Sequence, residues 1–286
     1  MSAEDDIKKE LPHVIVLALL LLVLLVVVTK FKWVHCSQVP GDWCSVYCGI
    51  NGHSRVALVS GDNGTGNPQA LFNFTSSKRL YTYIEPYPVE GISTSLLRNY
   101  ELVVFEKVRR LTPYQEKAIK EYADTGGGII WIADAGTERY LSPQDLQDAL
   151  NLNESDPGYY EDFVKQINQT KGFGSLSPLL KSTFQRMENA SKPIFLKIAD
   201  RNSLVTHGLN STFETNARQA AVVNADVSSA AILMSFYGTK SCTFEKPCPA
   251  LTANKYAGWI VYSAFPLEDI KSSTALTNLF DFMVTC

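Results

Sequence analysis

Hydrophobic and polar positions divide the start of the chain sharply in two. Residues 1–10 hold six charged side chains, and residues 11–28 are apolar throughout apart from His13 and an early Pro12. A helix of that length rises about 27 Å, close to the hydrocarbon thickness of a bilayer. Lys30, Phe31, Lys32 and Trp33 follow at once. Cationic and aromatic side chains of this kind settle at headgroup level. The pattern predicts a cytoplasmic tail over 1–10 and a transmembrane helix over 11–30. A cleaved signal peptide is the rival reading, and the absence of a small-x-small site after the apolar run weighs against it.

Residues 31–54 show little apolar periodicity and carry turn signals at Pro40-Gly41 and Asn51-Gly52, so they read as a membrane-proximal neck. From Arg55 the pattern changes. Residues 56–60 (VALVS), 101–105 (ELVVF) and 128–133 (GIIWIA) are continuous apolar runs, as in strands buried on both faces of a parallel sheet. Between the last two, Thr112, Pro113 and Gln115 form a capping-box start and Gly126-Gly127 a stop, with Tyr114, Ala118 and Tyr122 on one stripe. Strand, helix, strand predicts a right-handed βαβ unit. A helical surface insertion is expected over about 137–192, its helices opened by Ser142-Pro143, by the residues after Pro157-Gly158, and by Ser177-Pro178. Strands resume at 193–198, 220–224, 230–236 and 258–265, and a last helix over about 273–284 presents Leu276, Leu279, Phe280 and Met283 inward. The fold class is α/β, a doubly wound, mostly parallel sheet over 55–286 behind an N-terminal transmembrane helix.

Charge and cysteines add compartment and exclude a partner. A net charge of −3 gives no basic footprint for nucleic acid. All six cysteines (Cys36, Cys44, Cys48, Cys242, Cys248 and Cys286) lie beyond the apolar run. So do six N-x-S/T sequons, at Asn63, Asn73, Asn153, Asn168, Asn189 and Asn210. Both features place the globular part on the oxidising, extracytoplasmic side of the cell membrane. Cys242 and Cys248 flank Lys246-Pro247 and are expected to close a hairpin loop. Cys36, Cys44, Cys48 and Cys286 leave three pairings open, one of which brings Cys286 back to the neck. Their spacing lacks the knuckle of a zinc site, so no metal is expected, and no motif calls for a cofactor.

The segment YELVVFEKVRRLTPYQEKAIKEYADTGGGIIWIADAG (100–136) resembles the class I glutamine amidotransferase-like superfamily, in particular its trehalose-utilisation-type and transporter-associated auxiliary domains. SLVTHGL (203–209) and YAGWIVYSAFPLED (256–269) are similar to later loops and strands of those domains. The resemblance implies a flavodoxin-like fold. It also implies a nucleophile elbow at 132–136, where Asp134 stands in the cysteine's place. Phe265 and Leu267 occupy the places of the histidine and glutamate, with Glu268 one residue away. The triad this chemistry requires is absent.

Other candidates come from the residues themselves. Gly61, Asp62, Gly64 and Gly66 follow the first strand, where open α/β sheets bind ligands; a small anion on their amides competes with a plain tight turn. Asp134, Glu106 and His207 are candidates for acid/base chemistry if they converge, and Asp134 alone reads equally as a helix cap. Tyr81, Tyr83, Tyr87, Tyr159 and Tyr160 offer a contact surface or simple packing. The expected function is a non-catalytic membrane-anchored domain that binds an envelope protein or glycan. An envelope hydrolase using Asp134, Glu106 and His207 is the alternative, and a structural surface-layer or adhesion component a third reading.

Overall fold

A computed structural model of the chain describes residues 3–30, 34, 39–78, 82–140, 147, 172–190 and 192–284. It divides into two compact units, the first ending at His53 and the second formed by Ser54–Val284.

In the first unit, α1 (Ala3–Lys30) contains a 19-residue stretch, Pro12–Lys30, long and apolar enough to cross a membrane. Its side chains from Val14 to Leu24 face outward. Turn signals predicted an irregular neck, yet α2 (Trp43–Asn51) forms there. The reason is an apolar stripe that the short window hid: Tyr47 and Cys48 are buried, packed with Trp43 and with Val26 of α1. Cys44 and Cys48 are each disulfide-bonded, and Cys36 and Cys286 lie outside the described residues.

The second unit runs β1 (Ser54–Ser60), α3 (Pro68–Lys78), β2 (Thr82–Pro88), α4 (Thr94–Leu97), β3 (Leu102–Glu106), β4 (Arg110–Leu111), α5 (Pro113–Asp124), β5 (Gly128–Ile132) and β6 (Glu138–Arg139). It continues with α6 (Ser177–Leu180), β7 (Ser182–Asn189), β8 (Phe195–Ile198), β9 (Thr212–Glu214), β10 (Gln219–Ala225), β11 (Ala231–Tyr237), β12 (Cys248–Lys255), β13 (Trp259–Ser263) and α7 (Ser273–Met283). Nine strands form one sheet in the order β2-β1-β3-β5-β13-β12-β11-β8-β9. From β2 to β13 every pairing is parallel. From β13 to β9 every pairing is antiparallel, so β12 and β8 alone run against the other seven strands. Every residue of β3 and β5 is buried, as their unbroken apolar runs require.

The capping box of α5 is formed in both directions: the Thr112 hydroxyl accepts from the Gln115 amide at 3.2 Å, and the Gln115 side chain accepts from the Thr112 amide at 2.9 Å. Its inward stripe is Ala118, Ile119, Tyr122 and Ala123, while Tyr114 is 60% exposed. At about 100° per residue Tyr114 is too far around from Ile119 to share that face. On α7, Leu276, Leu279, Phe280 and Met283 are buried.

The expected helical insertion differs most from the structure. Ser177-Pro178 opens only the single turn of α6, and β7 follows it. Phe173, Leu176, Leu179 and Leu180 belong to the core rather than the surface. β7 pairs with β10 in a separate antiparallel ribbon, so residues 220–224 extend that ribbon and not the main sheet. A strand as polar as STFQRMEN is held by a partner far along the chain, which no local window reveals. Two further expected insertion helices, with Asn153 and Asn168, fall in a stretch of which only residue 147 is described.

Candidate functional site

Ends of parallel strands gather at one edge of a sheet, and here β1, β3, β5 and β13 bring together four chain segments. The loop after β1 is folded down onto that edge. Gly64 and Gly66 have φ of 129° and 125°, and a Cβ would stand 2.9 Å from the Lys107 backbone at the first and 2.6 Å from the Glu106 side chain at the second. Glycine's close approach thus serves contact with the chain itself. The Arg109 amide donates to the Asn63 carbonyl at 2.8 Å, and the Gly61 amide to the Lys107 carbonyl at 3.3 Å.

Two loop amides face carboxylates. The Thr65 amide donates to Asp134 Oδ1 at 2.9 Å, and the Asn67 amide to Glu268 Oε1 at 2.5 Å. An anion cradle requires free amides, and these two are occupied. The glycine-rich loop is therefore strapped down over the edge at Thr65 and Asn67, while Gly61, Asp62 and Asn63 line a cleft of about 210 Å³ together with Val89, Glu90 and Arg110.

Asp134 lies just beyond β5 and its side chain is 1% exposed. Both Nε and Nη2 of Arg109 reach its Oδ2 at 2.6 Å. No helix starts after it among the described residues, because the chain turns directly into β6. Asp134 therefore caps a loop amide and neutralises Arg109 instead of capping a helix. Its neighbour Ala133 carries the backbone strain of the elbow, with φ of 52°. Three hydrogen bonds hold that geometry: the Ala133 amide to the Ser263 carbonyl at 2.7 Å, the Tyr262 hydroxyl to the Ala133 carbonyl at 3.1 Å, and the Trp131 indole to the Ala135 carbonyl at 2.7 Å.

Glu106 ends β3 with no exposed surface. Neither of its oxygens, nor Glu268 Oε2, meets an N–H or hydroxyl donor. Burial, and after it the hydrogen bond and charge of Glu268, push its carboxyl up to about 10, against the smaller opposing effect of the Asn67 amide. With its carboxyl raised this far, Glu106 keeps a proton at neutral pH, and that hydroxyl, donated to Glu268, pairs two of the three orphaned oxygens. Asp269 is pushed up to about 6, first by partial burial and then by the charge of Glu268.

His207 does not join this group. It follows β8, which runs opposite to β3 and β5, so its loop leaves from the other edge of the sheet. Its carbonyl accepts from Asn278 of α7 at 2.8 Å, and its side chain is exposed. Glu106 and Asp134 do share one edge, through separate partners. Sequence reasoning missed Arg109, and named Glu268 only as one residue off a missing triad position. The signal for both was their place just after β3 and β13, strands that the apolar runs had marked. Phe265 and Leu267 are buried in the core. Tyr83 is 59% exposed and Tyr87 partly buried against Tyr100, whereas Tyr81, Tyr159 and Tyr160 lie outside the described residues. Cys242 and Cys248 form a disulfide that closes the β11–β12 connection.

Beside Asp134 opens a cleft of about 390 Å³ lined in part by Arg109, Thr137, Glu138, Phe184 and Met187. Acid/base hydrolysis of a glycoside requires two carboxyl groups about 5 to 9.5 Å apart around the bond. Glu106 and Glu268 instead stand side by side, near enough for Glu268 to push the Glu106 carboxyl up. Among the described residues, no group of three or more His, Cys, Asp or Glu is arranged to hold a metal.

The fold has counterparts among solved structures. A ThuA-like protein from Bacteroides uniformis superposes with a TM-score of 0.53 at 14% identity, over 82% of this chain and 93% of that one. The chain shares a mixed α/β fold with that protein. Two β-galactosidases also match, from Bacillus circulans sp. alkalophilus (TM-score 0.54, 14% identity, 80% of this chain) and from Rahnella sp. R3 (0.53, 15%, 82%). This chain spans only 30% and 32% of their lengths. No family model matches the sequence, and no curated protein does.

Proposed function

We propose that this chain is a non-catalytic, membrane-anchored relative of the amidotransferase-like domains, flavodoxin-like in plan, that faces the extracytoplasmic side and binds an envelope protein or glycan. The observation that carries the reading is Ala133, one position before Asp134, where the resemblance had put the nucleophile. A nucleophile elbow uses its strained residue to present a reactive side chain, and here the strained residue has only a methyl group. The outward-facing apolar stretch Pro12–Lys30 supports anchoring, and the four sequon asparagines in described segments, Asn63, Asn73, Asn189 and Asn210, are all exposed. The cleft beside Asp134 favours a second reading, an envelope hydrolase.

Turnover decides between them. The purified full chain is expected to release neither ammonia from glutamine nor nitrophenol from a nitrophenyl β-galactoside above the level of an Asp134→Asn variant. Hydrolysis by the native chain that disappears in that variant would establish the hydrolase and overturn the non-catalytic reading.

A further inference from the structure

Residues 43–51, WCSVYCGIN, contain no charged side chain, and the helix they form has two apolar faces. Trp43, Tyr47 and Cys48 turn toward α1, where they meet Val26. The Trp43 indole donates to the Thr29 hydroxyl at 3.1 Å, and that hydroxyl donates to the Leu25 carbonyl at 2.7 Å. The polar atoms of this contact are thus paired without water. A second apolar face adjoins that one, about 60° around from Trp43 and Tyr47, where Val46 and Ile50 are one turn apart and 48% and 63% exposed.

The position of α2 along α1 indicates what covers that second face. A 19-residue stretch rises about 28 Å, so Val26 and Thr29 stand at one boundary of a bilayer that Pro12–Lys30 crosses. α2 packs at that level and brings Trp43 and Tyr47 with it, side chains that favour the headgroup boundary. We infer that α2 is an interfacial helix whose Val46 and Ile50 enter the acyl boundary of the leaflet from which α1 emerges. The partner is the lipid surface itself, held by apolar contact and without basic residues on the helix. The inference rests on the anchoring reading above.

Photo-crosslinking separates the two. The full chain carrying p-benzoylphenylalanine at Leu20 or, separately, at Ile50 is reconstituted in phosphatidylcholine vesicles and irradiated, and intact masses are read. Addition of one phosphatidylcholine mass at both positions is the expected result. An adduct at Leu20 with none at Ile50, or a cross-link from Ile50 to a second copy of the chain, overturns the interfacial helix and leaves the anchor standing. No lipid adduct at Leu20 overturns the anchor, and the interfacial helix with it.

Discussion

Glu106→Gln is expected to stabilise the protein at pH 8. The carboxyl ionises near 4.5 in an unfolded chain and near 10 in the folded one, chiefly because of burial. A folded pKa raised this way gives stability that is complete below the unfolded value and lost as pH rises toward the folded one. At pH 8 the native protein must hold a proton that the unfolded chain has released. Glutamine keeps the donor to Glu268 without that cost, at the expense of one unpaired amide hydrogen worth roughly 1 kcal/mol. The net gain is on the order of 1–3 kcal/mol, or about 3–8 °C in Tm for a unit of this size. Thermal melts should also show the native protein losing stability steadily from pH 4.5 to 10. The variant should be nearly flat above about pH 7.5, once Asp269, half ionised near pH 6, has finished titrating. A variant less stable than the native protein at pH 8 would refute the shared-proton arrangement.

The opposite effect is expected at Asp134. Replacing it with alanine strands Arg109, whose guanidinium loses both contacts to Oδ2, and leaves the Thr65 amide without its acceptor. Removing one member of a buried pair costs about 3–5 kcal/mol, but Arg109 is 37% exposed and regains some hydration, so about 2–4 kcal/mol is expected. Tm should fall by about 5–12 °C. Hydrogen exchange adds a local readout: the Thr65 amide should lose protection far more than the amides of β3. Equal loss across the sheet would mean that Asp134 supports the fold in general and does not fasten the strap.

Elements whose stabilising contacts are local or two-sidedly apolar were legible in the sequence. β1, β3, β5 and β13 announce themselves as apolar runs, and α5 by Thr112, Pro113 and Gln115. β2 was not legible, since Pro86 and Pro88 argue against a strand and are tolerated only because β2 lies at the sheet edge. β7 and β12 were missed because their pairing partners, not their composition, make them strands. Within the site, Glu106 and Asp134 could be placed because each ends a recognisable strand. Their partners could not: Glu268 and Arg109 meet them only through the sheet order β3-β5-β13 and the return of the chain after β3. His207 was misplaced for the same reason, since the sequence does not reveal that β8 runs against its neighbours.

The most direct measurement on the closed edge is the ionisation of Glu106 itself, followed by carbon NMR of glutamate carboxyls, with Glu106→Gln supplying the assignment. A strap held by a shared proton predicts a Glu106 signal that stays in its protonated form through neutral pH and moves only toward pH 10. A signal that titrates near 4.5 would contradict the account. The edge would then hold ionised carboxylates open to water, as a catalytic or ligand-binding site requires.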